Sequence, residues 1–157
     1  MSIGFRWSVI ALAAITGALA HPASVRVITG AGAARAGWRD TIRALNEQNF
    51  HHSAWGTSHS VRDYEVARAL ADSDHLAYDD DVLFAAAYLH DMAGFPPWEK
   101  TGVDHQDRGA ELMDSVLTGV GFPHDKIARV AAAIRPHMPG RDPGTAVESR
   151  LLHDADA

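Results

Sequence analysis

One run, Val82-Leu83-Phe84-Ala85-Ala86-Ala87-Tyr88-Leu89, is apolar on every side of a helical wheel and leads straight into His90-Asp91. A helix without a polar face must be surrounded by other elements. The chain is therefore constrained to a fold whose central buried helix delivers an imidazole and a carboxylate into the interior. An ionised carboxylate in such a place is costly unless a cation pairs with it. Two other His-Asp dipeptides show that context decides: His124-Asp125 follows Pro123 in a polar loop, and His153-Asp154 closes an amphipathic segment.

The 157 residues, 46% hydrophobic and 22% charged, suffice for one domain with a real core. A net charge of -6 with no Lys/Arg run argues against nucleic acid and anionic membrane as main partners. Zero cysteines exclude thiolate metal sites, disulfides and cysteine nucleophiles, while ten histidines are the compositional oddity. Imidazole and oxygen ligands remain, which suit zinc, iron, manganese or nickel.

The N-terminus reads as an export signal over residues 1–20. Arg6 is the positive flank, Trp7 to Ala20 the apolar core, and Ala18-Leu19-Ala20 a small-x-small cleavage site. The apolar core is short for a membrane span, which needs about 20 residues, so a periplasmic or secreted location is expected, with an uncleaved anchor as the alternative. Residues 21–37 read as a flexible leader. Within it, Val25 to Gly32 imitates a strand entering a dinucleotide-binding glycine loop, but its glycines are misplaced and no strand–helix alternation follows.

From Trp38 to the end the periodicity is helical, which predicts an all-α bundle of about five to six helices over 38–157. The first helix runs from Trp38 to about Phe50. The second is capped by Thr57 or Ser58 and sets His59 on one face with Val66 and Leu70. The third starts at Asp79-Asp80-Asp81, where acidic groups favour a helix N-terminus. A loop from Met92 to Val103, carrying Phe95, Trp98 and Lys100, is either a lid over the site or an inert connector. Asp104 caps a helix in which His105 shares a stripe with Gly109, Leu112 and Val116. Another helix carries Ile127, Val130, Ala131 and Ile134 and ends near Pro136, just before His137. The last opens with Thr145-x-x-Glu148, a capping box, and aligns Val147, Leu151 and Asp154.

Singly, each of these histidines has an ordinary explanation as a hydrogen-bonded core residue. The set is the signal: His59, His90, Asp91, His105, His137 and Asp154 fall on core faces or at helix ends, whereas His21, His51, His75 and His124 fall in leader or loops. In order, His59, His90-Asp91 and Asp154 resemble the signature of the HD-domain metal-dependent phosphohydrolases. The likeness extends from about Trp55 to the C-terminus and includes Ala85 to Asp91, His105 with Gly109-Ala110, and Asp154-Ala155-Asp156.

The resemblance implies that His59, His90, Asp91 and Asp154 bind a first metal, and that in two-metal members Asp91 bridges to a second held by His105 and His137. It implies one or two divalent or iron ions, with Mn, Fe, Zn, Ni and Co not distinguished. Met138 stands where some members carry a second histidine. Met92-Ala93-Gly94-Phe95 replaces the common Gly-Lys, removing a phosphate-facing lysine; Arg62, Lys100 and Arg108 are the substitutes on offer. Relatives usually continue beyond the Asp-Ala-Asp, so the expectation is either a fragment cut short at its C-terminal end or a poorly held last ligand and a weakly bound first metal.

The activity so implied is hydrolysis of a nucleotide or other small phosphate ester by metal-activated water, with Asp91 both ligand and catalytic bridge. The same scaffold hosts di-iron oxygenases, and a non-catalytic metal- or ligand-binding sensor module is a third reading. Oligomeric state is left open.

Overall fold

The computed structural model describes residues 37–157. The expected export signal, and all but the last residue of the leader, lie outside the described residues. Within them six α-helices follow one another without a strand: α1 (Trp38–Asn49), α2 (Thr57–Ser73), α3 (Asp80–Leu89), α4 (His105–Val120), α5 (Ile127–Ile134) and α6 (Val147–Asp156). Single 3-10 turns occupy Met92–Gly94 and His124–Lys126. None of the described helices is long and apolar enough to cross a membrane.

Helix α3 is the axle that its composition demands. Every residue from Val82 to Leu89 is buried, and α1, α2, α5 and α6 pack around it. Asp79 caps it, accepting from the N–H groups of Asp81 and Val82 at 3.1 and 3.4 Å. The acidic start of α3 is then tied to its neighbours by charge. Arg39 of α1 reaches Asp80 and Asp81 at 2.8 and 2.7 Å, and Lys126 reaches Asp79 and Asp81 at 2.9 Å each. Arg129 of α5 joins Asp79 at 3.0 Å to Glu148 of α6 at 2.8 Å. With its N-terminus fastened, α3 carries His90 and Asp91 at the far end to a fixed place.

Several local expectations change. Gly56, not Thr57 or Ser58, is the N-cap of α2, and no side chain caps it. A Cβ at Gly56 would lie 2.6 Å from the Phe50 carbonyl oxygen and 2.8 Å from the His52 nitrogen, so close backbone approach selects glycine there. Asp104 precedes α4 without bonding its backbone; its carboxylate instead takes Arg141 at 3.0 Å. The capping box of α6 does not form either, because Glu148 accepts from the Asp79 N–H at 2.7 Å and from Arg129. Nor is the 92–103 segment an open lid. Phe95 is buried, stacked on Phe50 at 4.9 Å between ring centroids, and Trp98 meets Phe50 edge-on at 6.0 Å.

Candidate metal centre

The buried face of α2 is His59, Ser60, Asp63, Tyr64, Ala67 and Ala71; Val66, expected on it, is exposed. Residues four apart on a helix are neighbours on one side, so Asp63 lies one turn beyond His59 and faces the same interior. His90 and Asp91 arrive from the end of α3. His105 opens α4, which packs against the Met92–Gly94 turn that follows Asp91. His137 follows α5, and Asp156 comes from the last turn of α6.

These side chains form two groups that share Asp91. On one side its Oδ2 lies 3.4 Å from His59 Nε2 and 3.3 Å from His90 Nε2. On the other its Oδ1 lies 3.3 Å from His105 Nε2 and 3.6 Å from His137 Nε2. Asp156 Oδ1 joins the first group, 3.1 Å from His59 Nε2 and 3.8 Å from His90 Nε2. The Nε2 atoms of His59 and His90 are 3.1 Å apart, and those of His105 and His137 are 3.2 Å apart. One ligand atom each from His59, Asp63, His90 and Asp156 all fall within 4.8 Å of one another, as do those of His90, Asp91 and His137.

Two rings are oriented from behind. His90 Nδ1–H donates to the Ala87 carbonyl at 2.8 Å and His137 Nδ1–H to the Ile134 carbonyl at 2.6 Å. A carbonyl can only accept, so each ring turns the lone pair of its Nε2 toward the centre, as a metal ligand must. His90 and His137 are fully buried. With the rings neutral, lone pairs and carboxylate oxygens crowd one small volume, an arrangement that repels itself unless protons or a metal cation occupy it. This donor set fits one or two divalent ions.

The charges respond to the crowding. Burial works to raise Asp91, but the surrounding imidazoles, His90 first, hold it far below the carboxylate range. Burial likewise opposes ionisation of Asp156 and is overcome by His59. His59 is pushed up to about 9, by Asp156 first and then Asp91. Arg62 Nη2 sits 2.7 Å from His59 Nδ1, a contact that suits a neutral ring with its proton on Nε2 and so works against that rise. Burial pushes Asp63 up, and burial first, then the charge of His90, pushes His137 down.

The structure brings together His59, His90, Asp91, His105 and His137. It does not bring Asp154, whose side chain is 61% exposed and touches only its neighbour His153. Residues two apart on a helix point about 200° from one another, so with Asp156 at the cluster Asp154 must face outward. Asp63 and Asp156 are the members that the sequence reading missed. Among the proposed phosphate ligands, Arg62 borders the cavity beside the cluster and Lys100 and Arg108 do not. Lys100 is exposed, and Arg108 pairs with Glu111 at 3.3 Å on its own helix.

That cavity, of about 570 Å³, has His59, Asp91, His105 and Asp156 at its polar end. Ala54, Trp55, Met138 and Pro139 add apolar surface to its lining. Trp55 is 47% exposed and held in place, its ring stacked on His52 with centroids 3.3 Å apart. The loop backing it is fixed by His52 Nδ1, which accepts from the Ala54 and Trp55 N–H groups at 3.1 and 3.3 Å.

The HD domain family profile matches residues 56–157. A crystal structure of a predicted HD superfamily hydrolase from an uncultured Thermotogales bacterium is similar to this chain, with a TM-score of 0.61 and 31% sequence identity. The similarity covers 78% of this chain and 68% of that one. No curated protein matches the chain.

Proposed function

The chain belongs to the HD-domain family of metal-dependent hydrolases, and on that premise we propose that it hydrolyses a small phosphate ester carrying an apolar or planar organic group, such as a nucleotide. The observation that carries the proposal is the place of Asp91. Its two oxygens face two separate imidazole groups at 3.3–3.6 Å, on the edge of a cavity large enough for a small molecule.

His59, His90, Asp91 and Asp156 would hold the first ion, and His105, His137 and the other oxygen of Asp91 the second. Bound there, such ions supply a water of lowered pKa and neutralise charge on a phosphoryl oxygen. The chain's own residues do the rest. Asp91, fixed from both sides, orients the attacking water. His59 can present Nε2 as a ligand only when Nδ1 takes the proton and Arg62 Nη2 moves off it, which leaves Arg62 Nε on Asp63 Oδ1 at 3.0 Å. Its remaining N–H groups, beside the cavity, suit a non-reacting phosphate oxygen.

The walls favour an organic ester over a bare or polyanionic phosphate. Among the described residues Arg62 is the only arginine or lysine bordering the cavity, against the carboxylates of Asp91 and Asp156, which favours one phosphate group over a chain of them. Trp55, backed by His52, offers an aromatic face preset for stacking. Export by the N-terminal segment belongs to the same proposal.

The test is phosphate release from a panel of nucleotides, aryl phosphates and sugar phosphates by protein reconstituted with manganese, iron or zinc. Turnover is expected on the panel, with loss in a His90→Ala, Asp91→Ala double variant that keeps its circular dichroism. Unchanged turnover in that variant would reject the site.

A further inference from the structure

We infer that Asp63 is a protein ligand of the first ion, a carboxylate additional to the histidine, His-Asp pair and distal aspartate that define the family. The inference rests on the metal-centre reading above and concerns one residue that the reading does not need.

The Asp63 side chain is fully buried. Its two oxygens have opposite situations. Oδ1 is held by Arg62, with Nε at 3.0 Å and Nη2 at 2.7 Å. Among the described residues Oδ2 has no hydrogen-bond partner, although His59 Nε2 lies 3.1 Å away and His90 Nε2 3.7 Å away. Those atoms are near one another but not aligned to bond. They border a common space, and together with Asp156 they fall within 4.8 Å. A buried carboxylate oxygen without a partner is among the costlier features a fold can keep. A cation in that space satisfies it, and the Arg62 grip on Oδ1 orients the group from behind as supporting residues of metal sites do.

The added carboxylate makes the two groups unequal. The first has two imidazoles and three carboxylates, from Asp63, Asp91 and Asp156; the second has two imidazoles and a share of Asp91. Oxygen-rich sites suit manganese, whereas imidazole suits zinc. The first group should therefore bind Mn(II) more tightly than the second, and Asp63 should be the source of part of that preference.

The experiment titrates the whole protein with Mn(II) and, separately, Zn(II) by calorimetry, for wild type, Asp63→Asn and Asp63→Ala, each checked by near-ultraviolet circular dichroism. Wild type is expected to show one tight and one weak Mn(II) site. Asp63→Asn should weaken the tight site at least about tenfold, leave the weak one unchanged, and lower the Mn(II)-to-Zn(II) affinity ratio. Added formate should restore part of the loss in Asp63→Ala by replacing the carboxylate. A folded Asp63→Asn protein with Mn(II) affinity within twofold of wild type overturns the inference while leaving the metal centre standing. An equal loss for both metals without formate rescue also overturns it, by marking a packing role. Wild type that binds no ion defeats the metal-centre reading itself. Should both variants misfold, Mn(II)-soaked crystals of wild type decide: Asp63 Oδ2 within coordination distance of the ion supports the inference, and Oδ2 outside it overturns it.

Discussion

Asp154 and Asp156 are both candidates for the distal aspartate, and the structure separates them sharply enough for a paired experiment. Asp156 Oδ1 lies 3.1 Å from His59 Nε2 and 3.8 Å from His90 Nε2, inside the first group. Asp154 is 61% exposed, and its only partner is the adjacent His153 at 3.2 Å. Substitutions one shell out from a metal already lower affinity about 10–100-fold, so loss of a ligand itself should reach at least the upper end, about 100-fold or roughly 2.7 kcal/mol. An exposed position without partners should stay within about 0.5 kcal/mol. The assay is Mn(II) calorimetry on Asp156→Asn and Asp154→Asn, with circular dichroism to confirm the fold. The expected result is a weakened tight site in the first and wild-type binding in the second. Loss of metal in Asp154→Asn with retention in Asp156→Asn would refute the assignment and the helix-phase argument behind it.

Metal uptake should release protons and tighten as pH rises toward about 9, because a raised His59 pKa means that a proton must leave before Nε2 can ligate; calorimetry in buffers of different ionisation enthalpy measures the release. Arg62→Ala should raise KM for phosphate esters about tenfold or more with a smaller change in kcat, since a charge-assisted contact to the bound phosphate is what it removes; steady-state kinetics on the best panel substrate reads the split. Asp81 is held below its ordinary range by Arg39 and Lys126, so its stabilisation is present above the unfolded-state value of about 3.9 and fades as pH falls through the lower folded value. Lys126→Ala should accordingly move the midpoint of acid unfolding to higher pH. Turnover under argon should equal turnover in air, because hydrolysis consumes no dioxygen.

The central helix was readable because an eight-residue apolar run admits only burial, and the His90-Asp91 pair at its end inherits that position. The missed residues are errors of helical phase. Drawing the α2 face through His59, Val66 and Leu70 left out Asp63, while the packed side runs through Ser60, Asp63, Tyr64 and Ala67. In α6 the face through Val147 and Leu151 pointed to Asp154, but Leu152 and Ala155 are also buried, which rotates the inner side toward Asp156. Small apolar residues such as Ala67 and Ala155 carry little hydrophobic signal, and which side of an amphipathic helix wins depends on neighbours the local sequence does not contain. The caps failed for a related reason. Glu148 and Asp104 found partners across the fold, in Arg129 and Arg141, that outweighed their local backbone. Trp55 gave no sequence signal, because its place beside the cluster depends on a turn closed by His52 and Gly56.

The proposed bridging of two ions by Asp91 is open to direct measurement by electron paramagnetic resonance of protein loaded with two equivalents of Mn(II). The proposal predicts a spin-coupled spectrum that gives way to isolated six-line signals in Asp91→Asn. Two uncoupled Mn(II) signals in the wild-type protein would contradict it.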